Sequence, residues 1–206
     1  MSLVFRAFLL LVFAFAFSPS AEAAEGSYSP HILGKTSAPI RVDEYSSMTC
    51  SHCADFVLTI LPEIEKRYIN TGKVYFVLHD FPLDAVSLKA AAVAQCMPED
   101  VYIPFSKTLF SALKDETFGG YDSEAVLFQY AALGGLPAEK AKACAENTKL
   151  QDAIISDRTK AAAKYKIEAT PTFVINNGAE VINGAVSVEA FATTFDRLLA
   201  PKKKKK

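Results

Sequence analysis

Two cysteines separated by two residues form the segment of this chain best suited to chemistry. Cys50-Ser51-His52-Cys53 follows an apolar run typical of a strand and precedes a run with helical spacing. A helix beginning there would place the Cys50 thiol beside unpaired N–H groups and the positive end of the helix dipole, which favour the reactive thiolate. Protonated His52 would add a positive neighbour. We predict a reversible dithiol pair, with Cys50 as the exposed attacking thiol and Cys53 as the buried resolving thiol.

Other uses of the pair need residues that the sequence does not place nearby. A zinc site needs two further ligands, and the remaining cysteines, Cys96 and Cys144, are far apart in the chain. Haem attachment needs a histidine directly after the second cysteine, where this chain has Ala54. A purely structural disulfide is an alternative, but it gives no reason for a tight pair at a helix start. We expect neither a metal nor another cofactor.

An acidic residue, Glu44, lies six residues before Cys50 in the strand-like segment 40–45. Strand alternation puts it on the face of Ile40 and Val42, which should be apolar. A buried carboxylate is costly unless it is protonated or paired. Glu44 is therefore a candidate for a buried acid, and the alternative is an edge-strand glutamate that reaches solvent.

The other two cysteines each end a helical run. Four cysteines allow three pairings, and a bond between Cys50 and Cys53 leaves Cys96 with Cys144. Closing that loop would stabilise the fold by ~4 kcal/mol in the chain-entropy model. The alternative is two free buried thiols.

The elements that position these residues begin with a strand, a helix and a strand, predicted at residues 40–45, 54–68 and 74–78. Pro62 falls inside the helix and should kink or divide it. Strand, helix and strand within about forty residues indicate a βαβ unit, whose strands pair in parallel.

Alanine-rich helical runs dominate the chain from residue 83 to about 165. Breakers separate them at Met97-Pro98, Gly119-Gly120 and 134–137, and the runs are 85–96, 103–113, 123–133, 138–144 and 151–165. Strands then return at 171–175 and 180–182, joined by the turn Asn176-Asn177-Gly178. Ser187 caps a last helix at 188–199.

Composition and charge indicate a globular chain with a basic end. The 206 residues are 50% hydrophobic, which is enough for a substantial core. The formal net charge of -1 includes five lysines at residues 202–206, so the rest of the chain is mildly acidic, and we expect no nucleic-acid partner. The lysine tail is interpreted as a solvated end, with attraction to anionic membranes as the weaker alternative.

The first residues have the pattern of an export signal. Arg6 precedes the apolar run 7–17, and Ala21 and Ala23 fit a cleavage site that would leave Ala24 as the new N-terminus. A retained membrane anchor is the alternative, but the run is shorter than the ~20 residues that span a bilayer. Export predicts an oxidising compartment, the periplasm, where disulfides persist.

Together these residues resemble the DsbA family of thioredoxin-fold thiol–disulfide oxidoreductases, over roughly residues 38–199. Cys50-Ser51-His52-Cys53 corresponds to the family's redox centre. His79-Asp80-Phe81-Pro82-Leu83 is similar to the segment that leaves the second strand, although a basic residue is commoner at His79. Thr170-Pro171-Thr172-Phe173 resembles the loop whose proline is cis in the thioredoxin superfamily.

The resemblance implies an α/β thioredoxin fold, βαβ followed by ββα, with an inserted helical domain. The expected division is a signal peptide at 1–23, a leader at 24–37, the first half of the fold at 38–83, the helical insertion at 84–165, the second half at 166–200 and the basic tail at 201–206.

The resemblance also implies roles for residues outside the pair. A cis Pro171 would hold the Thr170 backbone beside the Cys50 sulfur, where it can pair with an extended substrate peptide; an ordinary trans proline opening a strand is the alternative. Glu44 matches the acid that relatives keep beneath the disulfide, which implies proton exchange with Cys53. Some members carry a second bridge like the one open to Cys96 and Cys144, and others do not.

The expected function is that of an exported, monomeric dithiol oxidase. It would donate the Cys50–Cys53 disulfide to reduced or misfolded exported polypeptides through a mixed disulfide at Cys50. A membrane quinone-linked reoxidase of the DsbB type is the implied partner. A disulfide isomerase or reductase is the alternative, favoured by Thr170 but disfavoured because superfamily isomerases dimerise through an N-terminal domain larger than the predicted leader. A non-catalytic chaperone or adhesion module is disfavoured by the intact cysteine pair.

Overall fold

The computed structural model describes residues 27–115 and 124–201. Three sequence-based predictions lie outside these residues: the signal peptide cleaved after Ala23, the helix break at Gly119-Gly120 and the lysine tail at 202–206.

A five-stranded mixed sheet lies at the centre of the fold in the order β1-β3-β2-β4-β5. Strands β2 and β3 run parallel, as the βαβ prediction requires, and the other neighbouring pairs among the described strands are antiparallel. Nearly every residue of β2 and β4 is buried, because helices cover both faces of these central strands. The strands are β1 His31–Leu33, β2 Ile40–Ser46, β3 Val74–Asp80, β4 Thr172–Ile175 and β5 Glu180–Asn183.

The helix after β2, called α1 here, is continuous but changes its winding around Pro62. It contains α-helical turns at Ser51–Asp55 and Leu61–Ile64, and π-helical turns at Phe56–Ile60 and Glu65–Ile69. A proline ring clashes with the carbonyl four residues earlier in an α-helix, and a wider turn relieves that clash. Pro62 thus changes the winding of the helix and does not divide it into two helices.

Among the described residues, five helices lie between β3 and β4, and a sixth follows β5. One begins earlier than predicted, at Glu99 rather than Ile103, directly after Pro98, and two acidic residues in its first turn interact favourably with the helix dipole. Asn147 likewise caps a helix three residues before the predicted start. The helices are α2 Ala85–Gln95, α3 Glu99–Lys114, α4 Glu124–Leu133, α5 Ala138–Ala145, α6 Thr148–Tyr165 and α7 Val188–Leu199.

Strand β1 was not predicted; it lies within the segment 24–37 that was interpreted as a leader. It is three residues long and pairs antiparallel with the edge of β3. Long-range contacts hold this segment in place. The His31 ring stacks on Tyr102 with centroids 3.4 Å apart, and the Tyr28 hydroxyl accepts a hydrogen bond from the Asp80 N–H at 2.8 Å.

Aromatic side chains hold α1 and α7 against the sheet. Phe56 of α1 lies 4.4 Å from Phe173 of β4 between ring centroids, and Phe191 of α7 lies 4.9 Å from Phe173. All three side chains are fully buried. This packing fixes the start of α1 relative to the ends of β2 and β4. Within the described ranges, no helix combines the length and hydropathy needed to cross a membrane.

Candidate functional site

The Cys50 sulfur caps the N-terminus of α1. Strand β2 ends at Ser46, and a tight turn, in which the Cys50 N–H donates to the Ser47 carbonyl at 3.1 Å, leads into the helix. The Cys50 Sγ then accepts a hydrogen bond from the Cys53 N–H at 3.2 Å. Both cysteines are free thiols; Cys50 is half-buried and Cys53 has no exposed surface. The helix start thus presents one sulfur and buries the other.

The two thiols have opposite acidities. A hydrogen bond from the Cys53 thiol is the main cause that lowers the pKa of Cys50 to about 5; the Thr170 side chain and the N–H groups of Cys53 and His52 add to it, and burial opposes it. Burial raises the pKa of Cys53 far above its usual range, and the hydrogen bond to Cys50 raises it further. At neutral pH the pair therefore holds one thiolate, on Cys50, and one thiol, on Cys53.

The loop before β4 faces the Cys50 sulfur. The peptide bond between Thr170 and Pro171 is cis. The Cys50 thiol, when protonated, donates to the Thr170 carbonyl at 3.3 Å. Two hydrogen bonds hold the loop: the Thr172 hydroxyl donates to the Ala169 carbonyl at 2.8 Å, and the Gly184 N–H to the Pro171 carbonyl at 2.8 Å. A backbone carbonyl in this position can also accept a hydrogen bond from an extended peptide.

Glu44 lies on β2 between apolar neighbours. It faces Leu78 in the register with β3 and Phe173 in the register with β4, and it is only 2% exposed. Burial raises the pKa of Glu44 to about 8, against smaller lowering effects of the Ser46 hydroxyl and the His79 charge. Glu44 is therefore a buried acid that carries a proton at neutral pH, and it does not reach solvent.

His52 is 75% exposed, and its ring lies beside Asp55. The ring Nδ1 is 3.8 Å from an Asp55 carboxylate oxygen, and the Lys114 Nζ binds the same carboxylate at 2.7 Å. The contribution of His52 to the lowered pKa of Cys50 comes from its backbone N–H. Direct electrostatic help from the His52 ring stays a prediction.

A disulfide joins Cys96, after the end of α2, to Cys144 on α5, with an S–S distance of 2.03 Å. The two residues are therefore not free thiols. The bond ties two helices of the insertion together and does not involve the Cys50–Cys53 pair.

The end of β3 carries two charged residues with partners on different elements. His79 donates or accepts at both ring nitrogens, 3.0 Å from an Asp43 oxygen on β2 and 2.9 Å from an Asp157 oxygen on α6. Burial lowers the pKa of His79, but the two carboxylates outweigh it and the net pKa is raised. His79 thus links the sheet to helix α6 of the insertion through hydrogen bonds to two carboxylates.

Sequence reasoning missed three polar residues near Glu44: Ser46, Asp80 and Tyr102. They line one cavity with Glu44, and each is contributed by a different element, β2, β3 and α3 respectively. Asp80 was noted only as a member of the segment 79–83 that resembles the DsbA family. Polar residues at the ends of two adjacent parallel strands were the available signal, because such ends meet at one edge of the sheet. Nothing in the sequence indicated that Tyr102 joins them.

Among residues 27–115 and 124–201, no group of three or more His, Cys, Asp or Glu side chains is placed to hold a metal ion.

Comparison with known proteins gives a consistent set of relatives. A family model described as thioredoxin matches residues 27–197. The crystal structure of alpha-DsbA1 from Wolbachia pipientis is similar with a TM-score of 0.74 and 31% identity, covering 82% of this chain and 90% of that one. The structure of oxidised BdbD from Bacillus subtilis shares the fold, with a TM-score of 0.70 and 23% identity over 84% of this chain and 97% of that chain.

Among curated sequences, a Rickettsia felis protein provisionally named protein-disulfide oxidoreductase is 30% identical over 175 residues, which is 84% of this chain and 62% of that protein. The chain therefore spans less than two thirds of the length of this relative. Disulfide bond formation protein D of Bacillus subtilis is 26% identical over 181 residues, 83% of this chain and 78% of that protein.

Proposed function

This chain belongs to the DsbA family of thioredoxin-fold proteins, and from that premise we propose that it is a thiol–disulfide oxidase that donates its Cys50–Cys53 disulfide to other proteins. The observation that carries the proposal is the contrast between the two sulfurs. Cys50 is half-buried and favours the thiolate, whereas Cys53 is buried and favours the thiol. A disulfide between two such sulfurs has one accessible atom, on Cys50, and the mixed disulfide formed there has the Cys50 thiolate as a stable leaving group.

The reaction proceeds in two exchanges. A substrate thiolate bonds to the Cys50 sulfur, the Cys50–Cys53 bond breaks, and its electron pair leaves on Cys53, which takes up a proton. A second substrate thiolate then bonds to the first substrate sulfur, and the electron pair of the mixed disulfide leaves on Cys50 as its thiolate. The substrate loses two electrons and two protons; one proton stays on Cys53 and the other goes to solvent.

The direction of the reaction, oxidation of the substrate, follows from which redox form of the protein the site stabilises. Stabilising the Cys50 thiolate lowers the free energy of the reduced protein and leaves the disulfide unaffected, so the oxidised protein is a strong electron acceptor. Thr170 and the cis Pro171 would align the substrate chain, since the Thr170 carbonyl lies 3.3 Å from the Cys50 sulfur.

Isomerase or reductase activity is the second candidate. The specific observation in its favour is the threonine that precedes Pro171, since threonine in that position is typical of superfamily isomerases. Two assays separate the candidates: equilibration with glutathione buffers, which gives the reduction potential, and parallel assays of a reduced peptide and of a scrambled one. A potential near that of thioredoxin, about -270 mV, without peptide oxidation would contradict the oxidase.

We place this reaction in the periplasm, with residues 1–23 acting as a cleaved signal peptide, on the basis of the apolar run at 7–17 and the alanines before residue 24. The proposed substrates are reduced or misfolded exported polypeptides. The proposed reoxidation partner is a quinone-linked membrane protein of the DsbB type, and the proposed state is monomeric. N-terminal sequencing of the protein from a periplasmic fraction tests the first point: Ala24 as the first residue supports it, and an uncleaved Met1 contradicts it.

A further inference from the structure

A cavity lies between the sheet and helix α3, beside Glu44. The volume open to the centres of water molecules is about 40 Å³, and one water needs about 10–15 Å³ by this measure. Partly exposed side chains of Leu33, Ile103 and Lys107 in its lining mark the side that faces solvent. Its polar lining residues are Glu44, Ser46, His79, Asp80, Tyr102, Ser106 and Lys107. A buried carboxyl in this fold therefore has room for water beside it.

Ser46 connects this cavity to the cysteine pair. It lies two residues after Glu44 on the same face of β2, and its hydroxyl lowers the pKa of both Glu44 and Cys53 against the larger effect of burial. Neither contact is a direct hydrogen bond, because among the described protein groups the buried Ser46 Oγ and Glu44 Oε2 have no hydrogen-bond partner. The hydroxyl therefore stands near a thiol and a carboxyl and is not committed to another group.

A second buried acid, Asp80, lines the cavity on β3, directly opposite Ser46 in the register of the two strands. Asp80 is buried, and its Oδ2 accepts a hydrogen bond from the Gln95 amide at 2.8 Å. Burial raises the pKa of Asp80 to about 7, against the hydrogen bonds of Gln95 and Tyr102. The charge of Glu44 also helps to raise the pKa of the buried Tyr102 hydroxyl. Glu44 and Asp80 are thus two acids, both titrating near neutral pH, with Tyr102 close to each.

We propose that Ser46 passes the proton between Cys53 and Glu44, and that Tyr102 and Asp80 continue this path through the cavity to solvent. This inference rests on the proposed dithiol function. When the Cys50–Cys53 bond breaks, the Ser46 hydroxyl gives its proton to the Cys53 sulfur and takes one from the Glu44 carboxyl. Glu44 is then reprotonated along the cavity, and reoxidation returns the proton by the same path. Of the titratable groups near Glu44, Asp80 on β3 and Tyr102 and Lys107 on α3 line the same cavity. His79 acts on Glu44 through its charge, while its ring bonds Asp43 and Asp157. Cys53 on α1 lies near the Ser46 hydroxyl.

The first test compares Ser46→Ala with Ser47→Ala in the full oxidised chain. Ser47 is a matched control, because it is the adjacent buried serine and its hydroxyl lies 3.3 Å from the Thr49 hydroxyl instead. The rate of reduction by dithiothreitol is followed by stopped flow across the pH range, in water and in deuterium oxide. We expect about tenfold slower reduction at neutral pH for Ser46→Ala, less than the ~10²–10⁴-fold effect of losing a general acid because water can occupy the hydroxyl position.

Ser46→Ala is also expected to change the pH profile and to raise the solvent isotope effect, which a packing defect would not do. Ser46→Thr keeps the hydroxyl and should retain the wild-type rate. The relay is wrong if Ser46→Ala keeps the wild-type profile, or if Ser46→Thr is as slow as Ser46→Ala. A wild-type disulfide that dithiothreitol does not reduce would instead contradict the dithiol function itself.

The outer half of the path runs from Glu44 to solvent, and difference infrared spectroscopy during reduction by dithiothreitol tests it. The band of the Glu44 carboxyl is identified as the one that is missing in Glu44→Gln. In the wild type we expect Glu44 to lose its proton as Cys53 gains one and then to recover it. Tyr102→Phe and Asp80→Asn should slow the recovery about threefold or more without changing the initial loss, as expected for groups that move a proton in sequence. Recovery at the wild-type rate in both variants would overturn this half of the proposal.

Discussion

The Thr170 carbonyl lies 3.3 Å from the Cys50 sulfur, although the two residues are 120 positions apart in the chain. The Thr170 side chain also lowers the pKa of Cys50. The loop before β4 therefore contributes part of the stabilisation of the thiolate, and we propose that it also docks a substrate peptide.

Thr170→Val should raise the pKa of Cys50, because valine keeps the shape of threonine and removes the hydroxyl. The buried Thr170 Oγ1 has no direct hydrogen-bond partner among the described protein groups, so the effect is that of a nearby dipole. The fraction of thiolate in mildly acidic buffer should therefore fall about threefold, which corresponds to about half a pKa unit. The ultraviolet absorbance of the thiolate, followed against pH, measures this. Thr49→Val is the control, because the Thr49 hydroxyl donates to Asp84 at 2.7 Å; an equal change in both variants would contradict the assignment.

Glu44→Gln should remove a pH dependence of stability. Because folding raises the pKa of Glu44 from 4.5 to about 8, the folded state holds a proton that the unfolded state releases, and stability falls as pH rises between these values. Glutamine cannot titrate, so the variant should lose less stability than the wild type between about pH 5 and 8. Urea unfolding of the reduced protein checks this. Parallel curves for the two proteins would contradict a buried, protonated Glu44.

His79→Asn should destabilise the fold more in acid than in base. The raised pKa of His79 means that its contribution is present below the unfolded pKa and is lost as pH rises through the folded one. We expect a loss of about 2–3 kcal/mol near pH 5, the size of hydrogen bonds to charged groups, and a smaller loss near pH 9. Urea unfolding at both pH values measures the difference. His52→Asn is the matched control, since His52 is exposed; a pH-independent loss for His79→Asn would argue against a charged contact.

Replacing Cys96 and Cys144 together by serine should lower stability without changing the reaction. The loop they close spans 48 residues, which gives a loss of ~4 kcal/mol in the chain-entropy model. Unfolding in urea measures the loss, and reduction by dithiothreitol at neutral pH measures the reaction. A changed reduction rate for the Cys50–Cys53 disulfide would show that the insertion is coupled to the redox pair.

Local sequence patterns were sufficient to predict the helix-start position of Cys50 and the burial of Glu44. The position of Cys50 was predicted from the spacing of three residues between the two cysteines. The burial of Glu44 was predicted from the alternation of inward-facing and outward-facing side chains along one strand. Strand β1 could not be predicted in this way, because it has three residues and its segment is held by contacts of Tyr28 and His31 with Asp80 and Tyr102, which are distant in the chain. The π-helical turns around Pro62 were also outside a periodicity argument based on one helical winding.

The proximity of Thr170 to Cys50 came from the family resemblance and not from spacing, since no local pattern connects residues 120 positions apart. The cavity beside Glu44 was not predicted at all. Its lining combines β2, β3 and α3, and the contacts among Ser46, Asp80 and Tyr102 depend on how a helix of the insertion packs on the sheet. Residues such as these become candidates only when their positions in space are known.

The most direct test of the account is disulfide transfer to a peptide. The oxidised protein is mixed with an equimolar reduced peptide that has two cysteines, and both products are counted after acid quenching. We predict that the peptide disulfide forms as the Cys50–Cys53 disulfide is lost, one for one. We also predict that the Cys50 thiolate of Cys53→Ala attacks the peptide in its disulfide form and retains it on Cys50 as a mixed disulfide. A protein that keeps its disulfide in the presence of the reduced peptide, or a trap that forms on another residue, would contradict the account.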